Sequence, residues 1–394
     1  MILRRTKMKI LAAGGGSGGH VIPVVAVFKE ILTKRAGQET EIRFWCDKKF
    51  FPQAKNIIQN EFGDEIAVSA ISSGKLRRYN HLTFWQHFTV SGVLWGNLVD
   101  FFKNIWGTLQ SLVKLIFWRP DVIFCKGGFV CVPIGLAAWL LGIPIVTHDS
   151  DAHPGLANRI LAKFAKTIAT GAPLEFYNYP AEISTYVGVP VRNEFRKYSQ
   201  KERAEFKKDL GFKTYKPLVL ITGGGLGAAR LNNAIAHEAP KLVQSAQIVL
   251  VSGVANYEGL KTGAENQNLE DFYLHDFIAK DMWKYLAAAD LVVARAGATS
   301  NLELAALAKP TILVPNARLT GGHQVKNAMV YANKQAVKLV DDDKLEDNPE
   351  LLSDEILGLL QNEARMTELS RKFAKFANPE SASEMADIVL RAAS

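Results

Sequence analysis

Two glycine-rich segments have the composition of phosphate-binding turns. Residues 14–19 (GGGSGG) follow a strand-like run at 9–13, and residues 223–227 (GGGLG) follow another at 218–222. A glycine turn between a strand and a helix lets backbone N–H groups approach an anion, and the helix N-terminus adds a partial positive charge. Either segment alone is also compatible with a tight turn that only allows close helix packing. The residues expected to bind substrate in these turns are Ser17, Gly18, Gly19 and Gly225.

A third turn, residues 295–303 (RAGATSNLE), also follows a strand-like run and opens a helix-like one. In one interpretation its helix start faces a phosphate and the Glu303 carboxylate accepts hydrogen bonds from ribose hydroxyls. In the other, Ser300 and Glu303 form a capping box and serve only the helix start. One Glu303 rotamer cannot fill both roles, so the two interpretations exclude each other.

A nicotinamide dinucleotide is the alternative ligand. Asp47 follows a strand-like run at 42–46 and could hold a ribose, as the acidic residue of a dinucleotide fold does. That interpretation needs only one nucleotide-binding unit. It leaves the second and third turns unexplained.

The elements that carry these turns recur in each half of the chain. Residues 121–128 (DVIFCKGG) and 290–297 (DLVVARAG) each read as a strand that ends in a basic residue and glycine, followed by a helix and a proline-led strand. Such alternation predicts α/β domains with parallel sheets. We predict two similar units, at 8–190 and 191–380, and a final helix at 381–394 that could pack back on the first.

Composition narrows the class of protein and its partners. The three cysteines among 394 residues form no Cys-x-x-Cys pair, which argues against a zinc site or a disulfide framework. The apolar run behind the basic N-terminus spans only residues 10–13, too short for a secretory signal. The net charge of +8 favours anionic partners. Because no nucleic-acid-binding module is recognisable, we expect phosphate-bearing ligands and a lipid surface rather than nucleic acid.

The segment 82–118 contains four of the seven tryptophans. At about 100° per residue one helix face is aromatic and the opposite face polar. The aromatic face has Phe84, Phe88, Trp95, Phe102 and Trp106, and the polar face has Gln86, Asn97, Asp100, Asn104 and Ser111. Polar residues recur too often for a transmembrane span. The aromatic face therefore packs on the core or lies among lipids, where Lys75, Arg77 and Arg78 would meet anionic head groups.

Several segments, in order and over nearly the whole chain, resemble the MurG family of glycosyltransferases. They are residues 14–20 (GGGSGGH) with Pro23, 126–144 (KGGFVCVPIGLAAWLLGIP), 154–159 (PGLANR), 188–192 (GVPVR), Gly297-Ala298 with Glu303, and His323-Gln324 with Asn327-Ala328. The resemblance implies the GT-B fold, in which two Rossmann-like domains flank a central cleft. It also implies transfer of N-acetylglucosamine from UDP-N-acetylglucosamine to lipid I, which forms lipid II for peptidoglycan synthesis and so supports cell wall biogenesis, cell shape and cell division.

By the same resemblance the C-terminal domain holds the donor and the N-terminal domain faces the acceptor, at the cytoplasmic face of the cell membrane as a peripheral protein. The residues implied to bind the donor are Arg192 (nucleotide or phosphates), Ile278 (uracil, through its backbone), Ala298 and Thr299 (diphosphate), Glu303 (ribose) and Gln324 (sugar hydroxyls). Ser300 is also expected to bind substrate.

The chain departs from the family pattern at three places. It reads Asp-Ser-Asp at 149–151 where the family usually reads Glu-Gln-Asn, Gly-Leu at 225–226 where Ser-Gln is usual, and Gly322 where an acidic residue is common. We expect these differences to concern the sugar or the acceptor rather than the reaction class. The alternatives are another UDP-sugar-dependent GT-B enzyme with a lipid acceptor, a nicotinamide-dependent oxidoreductase and a nucleotide-sugar-binding protein without catalysis.

For the transferase we predict an inverting displacement, in which an acceptor hydroxyl attacks the anomeric carbon while UDP leaves. It needs a base and positive potential. His20 is the favoured base, because imidazole titrates near neutral pH, and a packing or capping role is its alternative. Asp151 is the rival base or an acceptor-binding carboxylate.

A metal site is the alternative interpretation of the loop at 148–153, which contains His148, Asp149, Asp151 and His153. A hydrogen-bonded turn explains the same residues. Helix dipoles and Arg192 can neutralise the diphosphate, so we expect neither a bound metal nor a cofactor.

Overall fold

The computed structural model describes residues 7–16, 18–75, 91–224, 228–267, 269–278, 280–318 and 322–394. The chain divides into two compact units. The first is Met1–Arg192 with Glu380–Ser394, and the second is Asn193–Pro379.

The first unit is built on a seven-stranded parallel sheet in the order β3-β2-β1-β4-β5-β6-β7. Its strands are β1 (Met8–Gly14), β2 (Thr40–Asp47), β3 (Ala67–Ile71), β4 (Val122–Gly127), β5 (Ile145–Asp149), β6 (Thr167–Thr170) and β7 (Ser184–Tyr186). Its helices are α1 (Gly18–Lys34), α2 (Phe51–Phe62), α3 (Ser91–Trp118), α4 (Cys131–Leu140) and α5 (Leu156–Leu161), with short 3-10 turns at Leu174–Phe176 and Ala181–Ile183. The strand order reverses between β1 and β4, which is where open parallel sheets bind their ligands.

The second unit has a six-stranded parallel sheet in the order β10-β9-β8-β11-β12-β13. Its strands are β8 (Leu218–Thr222), β9 (Gln247–Val251), β10 (Phe272–His275), β11 (Leu291–Ala294), β12 (Thr311–Leu313) and β13 (Lys338–Leu339). Its helices are α6 (Gln200–Asp209), α7 (Ala229–Leu242), α8 (Val254–Gln267), α9 (Met282–Ala288), α10 (Ala298–Ala306), α11 (His323–Ala332), α12 (Glu350–Leu360) and α13 (Glu363–Ala374), with a 3-10 turn at Asp342–Leu345. Here the order reverses between β8 and β11.

Both central strands are continuous apolar runs because helices cover both faces of each sheet. Ile10 and Leu11 of β1 lie on opposite faces, in two separate cores, and both are fully buried. Leu218–Ile221 of β8 is likewise fully buried. The two parallel-sheet α/β units confirm the predicted fold class.

A last helix, α14 (Ser381–Ala393), completes the first unit rather than the second. Its apolar face, including Met385 and Val389, is buried in the same core as α1. Lys34 of α1 pairs with Asp387 at 2.8 Å, and the Lys166 Nζ donates to the Ala392 carbonyl at 3.2 Å.

Candidate functional site

In the first unit the chain turns from β1 into α1 at the point where the strand order reverses. The residues after the turn, with Pro23 among them, predict a helix that starts near Pro23, but the helix begins at Gly18. Gly18, Gly19 and His20 therefore form its first turn, where N–H groups have no acceptor within the helix. Ser17, which is also expected to bind substrate, lies outside the described residues.

Asp47, at the end of β2, holds this glycine turn. Its Oδ2 accepts the Gly16 N–H at 2.8 Å, its Oδ1 accepts the Phe50 N–H at 3.0 Å, and the residue is 3% exposed. A Cβ atom on Gly15 would collide with Oδ2, so the turn needs glycine there. Both carboxylate oxygens serve the backbone, which argues against the role in ribose binding that a dinucleotide site would give Asp47.

His20 has a fixed orientation beside the turn. Its Nδ1 lies 2.6 Å from the Gly15 carbonyl oxygen. Because a carbonyl only accepts, Nδ1 carries a proton and Nε2 is the acceptor nitrogen of the neutral ring. Burial, followed by the charge of Lys126, lowers the pKa of His20 to about 4, against the effect of Asp151 and Asp47. This pKa lies below the near-neutral value on which the choice of His20 from sequence rested, but the neutral ring with an unprotonated Nε2 is still the form that a general base needs.

The loop after β5, which contains Ser150 and Asp151, lies beside the same turn. Lys126, at the end of β4, is 1% exposed and its Nζ donates to the Ser150 Oγ. Burial lowers the pKa of Lys126 to about 8, although Asp149 and Asp151 act in the opposite direction. The Tyr177 hydroxyl donates to the Asp151 carbonyl at 2.7 Å. The structure thus brings His20, Lys126 and Asp151 together at one edge of the sheet.

Asp149 and His148 are buried in the floor of this site. The Tyr179 hydroxyl donates to the Asp149 Oδ2 at 2.9 Å, and burial raises the pKa of Asp149 to about 7. The His148 Nε2 donates to the Gly188 carbonyl at 2.7 Å. Across the described ranges, no group of three or more His, Cys, Asp or Glu residues is arranged to hold a metal ion. In the loop at 148–153, the hydrogen bonds of His148 and Asp149 go to Gly188 and Tyr179.

In the second unit α10 starts directly behind β11. Its N-cap is Gly297, and no side chain caps it. The capping-box interpretation is therefore wrong, because Ser300 is the third residue inside the helix. The backbone N–H groups of Ala298, Thr299 and Ser300 stand at the helix start, where an anion would meet them. Glu303 is partly buried in the next turn.

Helix α11 supports the turn that precedes α10. Its Asn327 Nδ2 donates to the Ala296 carbonyl at 3.2 Å. The Gln324 Oε1 accepts the Asn316 N–H at 2.9 Å, so the NH2 group of Gln324 is the donor that a ligand would meet. Gly225 lies outside the described residues.

The other two residues implied to bind the donor lie in different units. Ile278 is partly buried and follows β10 in the second unit. Arg192 is partly buried and is the last residue of the first unit before Asn193.

Asp342 is a buried centre of charge that sequence reasoning missed. It is 1% exposed, and its carboxylate pairs with the Arg295 Nη1 and with the Arg230 Nη2, both at 2.7 Å. Arg295 also donates to the Val314 carbonyl at 2.8 Å. The centre ties together the chain segments that follow β8, β11 and β12. No local pattern marks Asp342, because its partners lie far away in sequence.

Comparisons with known proteins agree with this geometry. The model of the glycosyltransferase family 28 N-terminal domain matches residues 10–170, and that of the C-terminal domain matches residues 218–385. A Clostridium perfringens protein named UDP-N-acetylglucosamine–N-acetylmuramyl-(pentapeptide) pyrophosphoryl-undecaprenol N-acetylglucosamine transferase is 34% identical over 376 residues, which cover 94% of this chain and 95% of that protein. A Bacillus cereus protein with the same name, numbered 2, is 34% identical over 321 residues, or 81% and 83% of the two chains.

The crystal structure of Acinetobacter baumannii MurG has the same fold, with a TM-score of 0.71 at 24% identity over 98% of this chain and 99% of that one. The chain belongs to the MurG family of glycosyltransferases. The predicted GT-B fold and the predicted family are thus confirmed, and the nicotinamide-dependent alternative loses its support.

In this MurG-family chain, the amphipathic helix α3 buries its polar face and exposes its apolar face. Along α3 the polar face packs on the protein: Asp100 is 4% exposed and Ser111 is fully buried. The apolar face is exposed, with Trp95 at 69%, Trp106 at 63% and Phe117 at 86%. The same face also exposes Leu98, Val99, Phe102, Ile105, Leu109, Val113 and Ile116. Packing of the aromatic face on the core, one of the two alternatives from sequence, is therefore wrong for Trp95, Phe102 and Trp106.

Close contact between backbones fixes this orientation. A Cβ atom on Gly107 would collide with the Ser72 carbonyl oxygen, and one on Gly74 would collide with the backbone of Asp100. Within the part of the chain that the structure describes, no helix is long and apolar enough to cross a membrane. The remaining aromatic and basic residues of the predicted segment, Arg77, Arg78, Phe84, Trp85 and Phe88, lie outside the described residues.

Proposed function

We propose that this chain transfers N-acetylglucosamine from UDP-N-acetylglucosamine to lipid I with inversion at the anomeric carbon, so that lipid II and UDP are formed. The observation that carries the proposal is the start of α10, where uncapped N–H groups stand one turn before the Glu303 carboxylate. A helix start suits a diphosphate, and a nearby carboxylate suits ribose hydroxyls. The names of the relatives support the choice of sugar and acceptor.

The donor is assigned mainly to the second unit. Ala298, Thr299 and Ser300 would present N–H groups to the diphosphate, and Glu303 would accept from the ribose. The Gln324 NH2 group would donate to a sugar hydroxyl. Ile278 would meet uracil, and Gly225 and Arg192 would contribute to the phosphates.

The acceptor is assigned to the first unit. The Nε2 of His20 would take the proton from the attacking hydroxyl, because Nδ1 is already committed to the Gly15 carbonyl. The start of α1, with Ser17, Gly18 and Gly19, would hold negative charge of the acceptor. Asp151 is the second candidate for a group that contacts the acceptor hydroxyl. The reaction needs no metal or cofactor in this scheme.

Release of UDP from UDP-N-acetylglucosamine, measured with and without a lipid I analogue, tests the function. We expect release only when the acceptor analogue is present. Release without the acceptor, or none with it, would contradict the proposal. UDP-glucose and UDP-N-acetylgalactosamine, assayed in the same way, test which sugar the protein transfers.

Two variants test the assignment of roles. Glu303→Gln removes the acceptor charge for the ribose, and we expect the KM for the donor to rise about 10-fold or more, since a lost charged hydrogen bond costs about 1.5–3 kcal/mol. His20→Ala should lower kcat about 10²–10⁴-fold while the donor Kd is unchanged. A wild-type kcat in His20→Ala would exclude this residue as the base.

We also propose that the exposed face of α3 holds the protein peripherally at the cytoplasmic face of the cell membrane, where a polyprenyl-linked acceptor would lie. Exposed aromatic patches of this kind mark interaction surfaces, and Lys75 lies in the segment before α3. Binding to anionic phosphatidylglycerol vesicles should fall at least 10-fold in the double variant Trp95→Ser/Trp106→Ser. Trp139→Ser is the matched control, because Trp139 is 52% exposed on α4. Equal loss in both variants would count against α3.

A further inference from the structure

The candidate acceptor site contains a buried ammonium group that the proposed reaction does not use. Lys126 is the last residue but one of β4, next to the turn at which the strand order reverses, and is 1% exposed. Burying a charge costs free energy unless neighbouring groups compensate it, so a buried ammonium group must have hydrogen-bond or charge partners close by.

One side of Lys126 faces the loop that carries the acidic residues. The ammonium donates to the Ser150 Oγ, between Asp149 and Asp151. The charges of both carboxylates act on Lys126 in the direction that favours its protonated form. Lys126 is therefore the link between the end of β4 and the loop behind β5.

The other side of Lys126 faces His20 across Gly14. A Cβ atom on Gly14 would lie 3.4 Å from the His20 Cβ and 3.6 Å from the Lys126 Cβ. A Cβ atom on Gly127, the residue after Lys126, would lie 3.3 Å from the His20 Nε2. The two side chains are thus neighbours, with Gly14 between them and Gly127 beside the His20 ring.

The charged and titratable groups around His20 come from four elements. Lys126 of β4 disfavours the imidazolium, whereas Asp151 behind β5 and Asp47 of β2 favour it, and the buried neutral ring of His148 lies on β5. Lys126 is the cation among these groups. Removing its charge would leave the two carboxylates to act on His20 alone.

We propose that Lys126 is a positioning residue for the transfer reaction: it ties Ser150, and with it Asp149 and Asp151, to the end of β4, and it places a positive charge beside His20. The inference rests on the proposed function, in which His20 is the base. It assigns to Lys126 two effects on that base: a fixed carboxylate loop, and a further bias toward the neutral imidazole that burial already favours.

The test compares Lys126→Met, which keeps the length of the side chain without its charge, with Lys126→Arg, which keeps a cation. The His20 ring is titrated by NMR, with its signal assigned by its loss in His20→Gln. We expect the His20 pKa to rise by about one pH unit in Lys126→Met and to stay near the wild-type value in Lys126→Arg. Lys126→Met should also lower kcat at least 10-fold and move the acid limb of the pH profile of kcat to higher pH. The Kd for UDP should not change.

An unchanged His20 titration in Lys126→Met overturns the inference. If that variant does not fold, Ser150→Ala takes its place. This change frees the ammonium from the loop and should lower kcat without weakening UDP binding, and wild-type kcat in Ser150→Ala overturns the inference as well. His20→Gln distinguishes a failure of the proposed function. Wild-type turnover in that variant would exclude His20 as the base, whatever effect Lys126 has on the pKa of His20.

Discussion

Asn104 hydrogen-bonds both backbone groups of Gly74. Its Oδ1 accepts the Gly74 N–H at 3.0 Å, and its Nδ2 donates to the Gly74 carbonyl at 3.1 Å. One helical turn and a half further on, the Gln110 Oε1 accepts the Ser72 N–H at 3.0 Å. The segment after β3 thus receives from the side chains of α3 the partners that another strand would supply. This is why the polar face of α3 points inward.

Replacing Asn104 by Ala should loosen this attachment. Two backbone groups would lose their partner, and each buried unsatisfied group costs about 1–3 kcal/mol. We expect a lower urea midpoint for the first unit and faster amide exchange at Gly74. Val113→Ala trims an exposed side chain of the same helix and should change neither measurement. Unaltered exchange at Gly74 in Asn104→Ala would show that the contact is not formed in solution.

Two glycine-to-alanine changes in helices should have opposite effects. Gly107→Ala on α3 forces a methyl group into the Ser72 carbonyl, and overpacking of this kind costs about 1–3 kcal/mol. Gly259→Ala on α8 meets nothing within 4 Å and should stabilise the second unit by about 0.5–1 kcal/mol, because alanine favours a helix. Calorimetric midpoints measure both. Destabilisation by Gly259→Ala would contradict the described course of α8.

Asp342 and its neighbour Asp343 form a matched pair for testing the buried charge centre. Asp342→Ala leaves Arg295, which is 8% exposed, without its carboxylate, and breaking a buried ion pair costs about 3–5 kcal/mol. Asp343, with a side chain 43% exposed, pairs with Arg230 and Arg318, and Asp343→Ala should cost less than about 1 kcal/mol. Urea unfolding of the second unit measures the difference. Equal costs would mean that the centre is solvated.

Asp149→Asn should remove a pH dependence of stability. The pKa of Asp149 is raised in the folded chain to about 7 from 3.8, so the folded state holds a proton that the unfolded state releases between these values. Wild-type stability conferred by this group is fully present below about pH 4 and is lost as the pH rises through 7, by about 1.4 kcal/mol for each pH unit between the two pKa values. Relative to wild type, Asp149→Asn should therefore gain stability from about pH 4.5 to about pH 8, as urea unfolding at a series of pH values would measure. A difference that is constant with pH would mean an ordinary pKa for Asp149.

The repeated strand and turn patterns were sufficient to predict the two parallel-sheet units and the glycine turn between β1 and α1. They missed the start of α1 by several residues, because Gly18 and Gly19 are poor helix formers whose place is set by Asp47 and the turn before them. The capping box at Ser300 failed for a related reason. The helix begins at Ala298, shortly after β11 ends at Ala294, and three residues earlier than the Ser300–Glu303 spacing suggested.

Periodicity also predicted the aromatic stripe of α3 but left its direction open. A helical pattern predicts which residues share a face. Which of the two faces packs on the protein depends on the groups that lie opposite the helix. Here Gly74 and Ser72 need hydrogen-bond partners, and the polar face supplies them. Asp342 was missed, and Lys126 was seen only as the basic end of a strand, because their partners are contributed by other segments of the chain and no local spacing predicts those contacts.

The position of α14 has a consequence for synthesis on the ribosome. The first unit needs Met385 and Val389 to close its core, yet the whole of Asn193–Pro379 is translated before them. The second unit can reach its final state while the first still presents a bare apolar groove along α1. Nascent chains stalled before Ser381 should therefore engage chaperones and proteases through their earliest-made half, an inversion of the usual vectorial order of domain folding.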